Sequence, residues 1–422
     1  MRSLAIGFVC LLWLAPIAQQ PPAGSTLTKY DRDAALGMLQ QVKADLKEYY
    51  YDPAFRGMNV DEAFQRAEDR LKNATTLSQA IGLIAEVLLR LEDSHTVFIP
   101  PDRKARLYYG WRCEMIGEAP FVTVVASGSD AQKQGLKVGD RVLAWNEYAP
   151  SRANLSQIKY VYNIVRPQPR QHLVVRGVDG ALKTLDIETR IETRDQDDLP
   201  DLIASLADLS EGVGDESALA GEILVWHYAG FGEARNIDKV MRAARAAKGL
   251  VIDLRGNGGG AVDALRAMVS WLFDRDVSIS VEKTRRGDKP LMAKGRKDAY
   301  GGPLVVLVDS DSGSAAEIAA RVVQLEQRGK VIGDRTAGAV MTSRLLPHVY
   351  GQATMTFYAT SMTIGDVRMR DGSSLERVGV TPDEIALPSG ADLAAGRDPV
   401  LARAVAVLGG TITAEQAGRL FK

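Results

Sequence analysis

Four stretches of this chain hold side chains whose type and spacing could do chemistry. The first is Asp253-Leu254-Arg255-Gly256-Asn257-Gly258-Gly259-Gly260. Four glycines between an apolar run and a helix pattern permit positive φ, close backbone approach and exposed amide N–H groups. Two chemistries need such a loop. One is pyrophosphate binding, because Gly256, Gly258 and Ala261 fit G-x-G-x-x-A. The other is an oxyanion hole, in which backbone N–H groups stabilise a tetrahedral intermediate. A plain structural turn is the third reading.

The second stretch is Asp309-Ser310-Asp311-Ser312-Gly313-Ser314-Ala315-Ala316-Glu317. A serine between a buried strand and a helix sits where the helix dipole favours developing negative charge, and it needs a base within reach. The alternative is an N-cap on Ser312 or Ser314, with Glu317 completing a capping box. The third is Ser94-His95, at the end of an amphipathic helix. The chain has four histidines. The others read as part of a β-rich segment (His172), a strand interior (His227) and a loop after Pro347 (His348). The fourth is Glu376, in Leu375-Glu376-Arg377-Val378-Gly379-Val380-Thr381-Pro382-Asp383, by itself a surface carboxylate.

The elements that must position these groups follow from periodicity. Residues 30 to 93 read as helical, with Ile81, Ile84, Val87, Leu88 and Leu91 on one face. Residues 105–193 read as a β-rich module, with strands at Phe121–Val125, Arg141–Trp145 and His172–Arg176 and a helix near 153–164. Residues 194–219 read as an acidic linker. From 220 onward strands and helices alternate: strand Glu222–Tyr228, helix 236–247, strand Leu250–Leu254, a helix from Val262, strand Leu304–Val308, helix 314–328 and a strand at Val331–Ile332. This order predicts a multidomain α/β protein.

Composition narrows the function classes. The 422 residues suffice for two or three domains with a sizeable core. Lys plus Arg is 52 and Asp plus Glu is 53, for a net charge of −1. That balance gives no global attraction to nucleic acid or an anionic membrane. With only Cys10 and Cys113, a disulfide scaffold and a CxxC metal site are excluded. Cys113 reads as a small buried hydrophobe. Met1-Arg2-Ser3, a charge-free run from Leu4 to Ala18 and a small residue at its end predict a signal peptide over 1–18. The run is too short for a comfortable membrane span. An uncleaved anchor is the alternative.

Taken in order, these motifs resemble the C-terminal-processing (tail-specific) serine protease family. Asp93-Ser94-His95-Thr96 is similar to that family's helix-ending motif. Ser129-Asp130-Ala131 and Gly135-Leu136-Lys137-Val138-Gly139-Asp140-Arg141-Val142 resemble a PDZ module. Asp253-Leu254-Arg255-x-Asn257 with its glycines resembles the oxyanion-side loop, and Ser314-Ala315-Ala316-Glu317-Ile318 the nucleophile turn. Glu376-x-x-Gly379-Val380-x-Pro382-Asp383 closes the domain. One departure matters. The processing proteases place a lysine base after a glycine some two dozen residues past the nucleophile; here Thr336-Ala337-Gly338-Ala339 supplies alanine. The tricorn-core branch uses instead a histidine preceded by a serine, and a glutamate, and Ser94, His95 and Glu376 match those positions.

The resemblance implies a ClpP/crotonase-like catalytic core with Ser314 as nucleophile, His95 as general base, and Glu376 acting with Ser94 to orient and polarise the site. Gly258, Gly259 and the amide of Ala315 are the oxyanion candidates. A PDZ-like module would capture an extended C-terminus by strand addition, with Tyr109-Gly110-Trp111 as its carboxylate loop, although this triplet departs from the usual small-hydrophobic glycine motif. The expected layout is a signal peptide (1–18), a linker (19–29), a helical region (30–104), the PDZ-like module (105–193), a linker (194–219), the catalytic domain (220–390) and a C-terminal helical segment (391–422). The expected activity is serine endopeptidase action on exported polypeptides, in the periplasm or outside the cell. No metal, cofactor or nucleic acid is expected, nor stable membrane insertion after signal cleavage; the oligomeric state is left open. The rival readings are a catalytically inactive peptide-binding relative and a nucleotide-dependent α/β enzyme.

Overall fold

A computed structural model of the chain describes residues 27–101, 105–193, 215–232, 234–351 and 356–421. The expected signal peptide and most of both expected linkers fall outside these residues. Among the described residues no helix is long and apolar enough to cross a membrane. The protein is a multidomain α/β structure built on two sheets, a helical N-terminal layer and an inserted β module.

The first sheet has six strands in the order Glu384–Ile385, Lys330–Gly333, Leu304–Val308, Gly249–Asp253, Ile223–His227 and Glu216–Ala220. All neighbours are parallel except the last pair. Gly249–Asp253 and Leu304–Val308 are buried at every position, as expected where helices cover both faces of a parallel sheet. Helices Ala234–Ala244, Val262–Leu272 and Ala315–Leu325 pack on one face. Helix Pro399–Val407 covers the other through Val400, Leu401, Ala404 and Val405. The C-terminal helices are therefore part of this core. Glu216–Ala220, expected as the end of a linker, is the antiparallel edge strand. Its buried contact is confined to Ala220, so local sequence does not announce it.

The second sheet follows the order Val97–Ile99, Thr356–Met369, Val277–Thr284, Gly287–Ala293, with Met341–Tyr350 also paired to Thr356–Met369. His348, expected in a loop, lies in strand Met341–Tyr350 and bonds Asp45 Oδ2 through Nε2 at 2.7 Å. Pro347 is tolerated because, among the described residues, this strand pairs on one side only and so lies at the sheet's edge.

Helices Lys29–Tyr49, Val60–Lys72 and Leu77–Leu89 share one apolar core with Phe98, Tyr358 and Met362 of the second sheet. Thr28, Asn59 and Thr76 cap their N-termini. The last helix thus delivers the 93–96 turn straight onto Val97–Ile99.

The module is a five-stranded antiparallel sheet: Trp111–Ile116, Ala119–Val125, Arg141–Trp145, Arg170–Arg176 and Leu182–Glu188. Ala105–Tyr108 pairs with Arg190–Thr193, bringing entry and exit together. Partly buried Arg152 pairs with Asp334 at 2.5 Å, and Lys159 pairs with Asp311 at 3.1 Å. Ser310 Oγ donates to the Met115 carbonyl at 2.7 Å. These bonds dock the module on the core. Between them lies a cleft of about 720 Å³, lined by strand Trp111–Ile116 on one side and Arg255, Gly256, Asp309 and Asp311 on the other.

Candidate active site

The His95 side is built first by Asp93. Its Oδ1 accepts from the His95 and Thr96 N–H groups (2.9 and 3.2 Å) and from Thr363 Oγ1 (2.7 Å), while Oδ2 accepts from Tyr50 (3.0 Å). One buried carboxylate thereby fixes the turn against helix and sheet. Asp93 was part of the motif, but nothing in the sequence assigned it this work; its partners are up to 270 residues away.

Glu376 then organises Ser94. Oε1 accepts from the Ser94 N–H (2.9 Å); Oε2 accepts from Ser94 Oγ (2.7 Å) and from the Val340 N–H (2.9 Å). Ser94 Oγ also lies 2.8 Å from His95 Nδ1. A hydroxyl has one proton. Since Ser94 gives it to Glu376, it accepts from Nδ1–H, and the lone pair of His95 falls on Nε2. Burial pushes the His95 pKa below its ordinary value and the Glu376 pKa above it. The imidazole is neutral near pH 7, as a general base must be.

Ser314 sits directly before helix Ala315–Leu325 with φ 51° and ψ −116°. A non-glycine residue there is strained by ~1–3 kcal/mol and persists only when its surroundings over-determine it. Its N–H is held by the Ala339 carbonyl (2.9 Å) and by Glu317 Oε2 (3.1 Å). Ser314 is itself the N-cap. Ser312, the other capping candidate, is fully buried and instead donates to the Leu254 carbonyl (2.7 Å), joining the turn to the neighbouring strand.

The glycine loop lies against this turn. A methyl group on Gly259 would come within 2.6 Å of Ser314 Cβ and 2.9 Å of Ala315 N. Gly313 N–H donates to the Asn257 carbonyl (2.9 Å). Asn257 Oδ1 takes the Gly259 N–H (2.8 Å), so that amide is committed. The Gly258 and Ala315 amides make no hydrogen bond among the described residues. The same geometry disfavours pyrophosphate: the Gly256 N–H is bonded by the Asp309 carboxylate at 3.0 Å, placing an anion where a phosphate would sit. The Asp-x-Arg pair is structural. Arg255 chelates Asp253 and Asp398, tying the loop to the cap of helix Pro399–Val407.

The two sides meet through the 338–340 segment. The Ala339 carbonyl takes the Ser314 N–H, and the next amide, Val340, goes to Glu376. Through the 339–340 backbone, Ser314, Glu376, Ser94 and His95 are thus joined by consecutive bonds, although among the described residues no hydrogen bond links Ser314 Oγ directly to His95. Tyr109, Gly110 and Trp111 lie apart from this group, at the cleft. The Tyr109 hydroxyl bonds within the module and the Trp111 indole N–H donates to Gln171, which leaves only backbone to serve a ligand. Cys113 is a free, buried thiol whose pKa burial pushes up to about 12, as suits an inert packing residue.

Comparison with known proteins bears on the family and the fold. Residues 222–386 match the family model described as Peptidase family S41. The chain is 23% identical over 365 residues to the chloroplastic C-terminal processing peptidase of Tetradesmus obliquus, covering 79% of this chain and 73% of that protein. It is 23% identical over 275 residues to the carboxy-terminal processing protease CtpA of Bacillus subtilis, covering 64% of this chain and 53% of that one. Among solved structures, mature CPAF complexed with lactacystin superposes with a TM-score of 0.64 at 13% identity, over 86% of this chain and 96% of that one; it supports the fold alone. Residues 222–386 thus match peptidase family S41, and the chain as a whole is similar to the C-terminal-processing peptidases, as a serine-type peptidase.

Proposed function

We propose that the protein is a serine endopeptidase that cleaves exported polypeptides engaged at unstructured C-terminal ends. Ser314 attacks the scissile carbonyl. His95 Nε2 takes the serine proton and returns it to the leaving amine. Ser94 and Glu376 hold the imidazole in the productive tautomer, and the Gly258 and Ala315 amides receive the oxyanion. The observation that carries this reading is the Ser94 hydroxyl, bonded at once to Glu376 and to His95 Nδ1, which directs the basic lone pair to Nε2. The 105–193 segment acts as the PDZ-like tail-capturing module: strand Trp111–Ile116 ends the module's sheet and lines the cleft, as strand addition requires, and the Gly110 φ of 74° supports a backbone-lined loop. Residues 220–390, with the C-terminal helices, form the catalytic domain.

A catalytically inactive, peptide-binding relative is the competing reading, favoured by the missing direct bond between Ser314 and His95. Catalytic bonds are often long in unliganded enzymes and tighten with substrate, so the test is chemical. A fluorophosphonate should label the wild type, with the adduct mapped by mass spectrometry to Ser314, and S314A should be unlabelled and inactive while folded. Peptide binding without any adduct or hydrolysis would establish the inactive reading.

A further inference from the structure

Glu317, read as a capping-box partner and as part of the nucleophile-turn motif, is fully buried, and four donors converge on its carboxylate. Oε1 accepts from Thr336 Oγ1 (2.5 Å) and the Gly338 N–H (2.8 Å). Oε2 accepts from the Ser314 N–H (3.1 Å) and the Ala339 N–H (2.8 Å). One side chain thus grips both the turn carrying Ser314 and the 336–339 segment. The next amide along that segment holds Glu376, which holds Ser94.

Among the described residues no cation serves this carboxylate. On its own helix, Arg321 turns to Asp371. From the 375–380 segment, Arg377 turns to Glu92, and Glu376 faces Ser94 and Val340. From the 334–339 segment, Asp334 binds Arg152, and Arg335 lies beside Glu118. From the preceding turn, Asp309 faces Gly256 and Ser312. On the base side, His95 reaches the cluster only through Ser94 and Glu376. Glu317 is held by neutral donors alone. That arrangement suits an ionised acceptor. A protonated carboxyl or an amide would direct hydrogen at groups that are themselves donors.

Resting on the reading of Ser314 as nucleophile, we infer that Glu317 is the positioning residue of the reaction: its carboxylate must be ionised to hold Ser314 in its strained conformation and to keep the 336–340 segment aligned with Glu376. Burial pushes its carboxyl up to about 7. Protonation therefore removes an acceptor from the site as pH falls through neutrality, and activity falls with it. The ionised form is favoured above that value, so the plateau lies on the alkaline side.

The test measures kcat, KM and the rate of fluorophosphonate labelling from pH 5 to 9 for the wild type, E317Q and T336V. E317Q should fold at pH 8, by circular dichroism and melting, and lose about 10²-fold in kcat with KM within about threefold, the scale of a misplaced catalytic geometry. Its remaining acid limb should move to lower pH, because His95 and Glu376 alone now titrate. T336V withdraws one donor from the carboxylate, so its acid limb should move to higher pH while activity at pH 9 is largely kept. A folded E317Q with near-wild-type kcat and an unmoved limb would overturn the inference; so would an unmoved limb in T336V, which decides the matter if E317Q does not fold. A wild type that labels elsewhere than Ser314 would defeat the nucleophile assignment instead, and mapping the adduct distinguishes that outcome.

Discussion

The two sides of the site are built in opposite ways. The proposed nucleophile side is local: strands Gly249–Asp253 and Leu304–Val308 are neighbours in one parallel sheet, and each runs through a short turn into its own helix. The base side is assembled from afar. Ser94 and Glu376 lie 282 residues apart, and the Asp93 turn is closed by Tyr50 from the first helix and Thr363 from the second sheet. A strand–turn–helix unit can present a nucleophile with little help. A histidine of defined tautomer needs several elements to converge on its neighbours.

The comparison is put under most strain by H95A. Activity should fall about 10⁴-fold in kcat, because members of such a constellation act as a unit. Labelling of Ser314 should slow in parallel, while the melting temperature changes little. Burial holds His95 below its ordinary 6.5; its neutral form is lost only as pH falls below that point. An acid limb near 7 in the wild type therefore belongs to Glu317 rather than His95. An H95A enzyme with comparable kcat would mean that the base side has been misplaced.

E376Q should cost less, about 10²–10³-fold, since one amide oxygen can still accept from Ser94 Oγ and Val340 while the charge facing the imidazolium is gone. If E376Q matched H95A in severity, the tautomer argument would be too weak, and Glu376 would have to act on the substrate.

Removal of residues 105–193 is feasible in design because Ala105 pairs with Thr193, so a short linker closes the gap. Cleavage of an unstructured protein substrate should fall at least about tenfold more than that of a short peptide, as expected when a tethered capture site is lost. Equal losses would make the module structural, through its bonds from Met115, Arg152 and Lys159 to the 309–311 and 334–335 segments.

The smallest effect on chemistry is expected for S312A. The loss of a buried hydroxyl that donates to the Leu254 carbonyl should cost about 1–3 kcal/mol of stability by denaturant melts, with kcat nearly unchanged. An essential Ser312 and a dispensable Ser314 would exchange their roles.

The nucleophile side was legible because apolar runs such as Leu304–Val308, punctuated by glycine and serine, encode strand, turn and helix locally. The module's strands at 119–125 and 141–145 were legible for the same reason. Almost the whole second sheet was not. Strand Met341–Tyr350 contains Pro347, and Gly287–Ala293 contains Pro290 and is mostly exposed. Both are edge strands whose stability comes from a distant partner rather than their own pattern.

The resemblance carried by the order of the motifs put Ser314, His95, Ser94 and Glu376 forward as one candidate group, and the alanine at 339 stands where that family's lysine would be. Which atoms face each other was decided only by tertiary structure. Hydrogen-bond satisfaction of buried groups is a property of the packed whole. It is the fold that gives the Gly259 amide to Asn257, the Asp93 carboxylate to the His95 turn, and the Glu317 carboxylate to four donors from two segments at once.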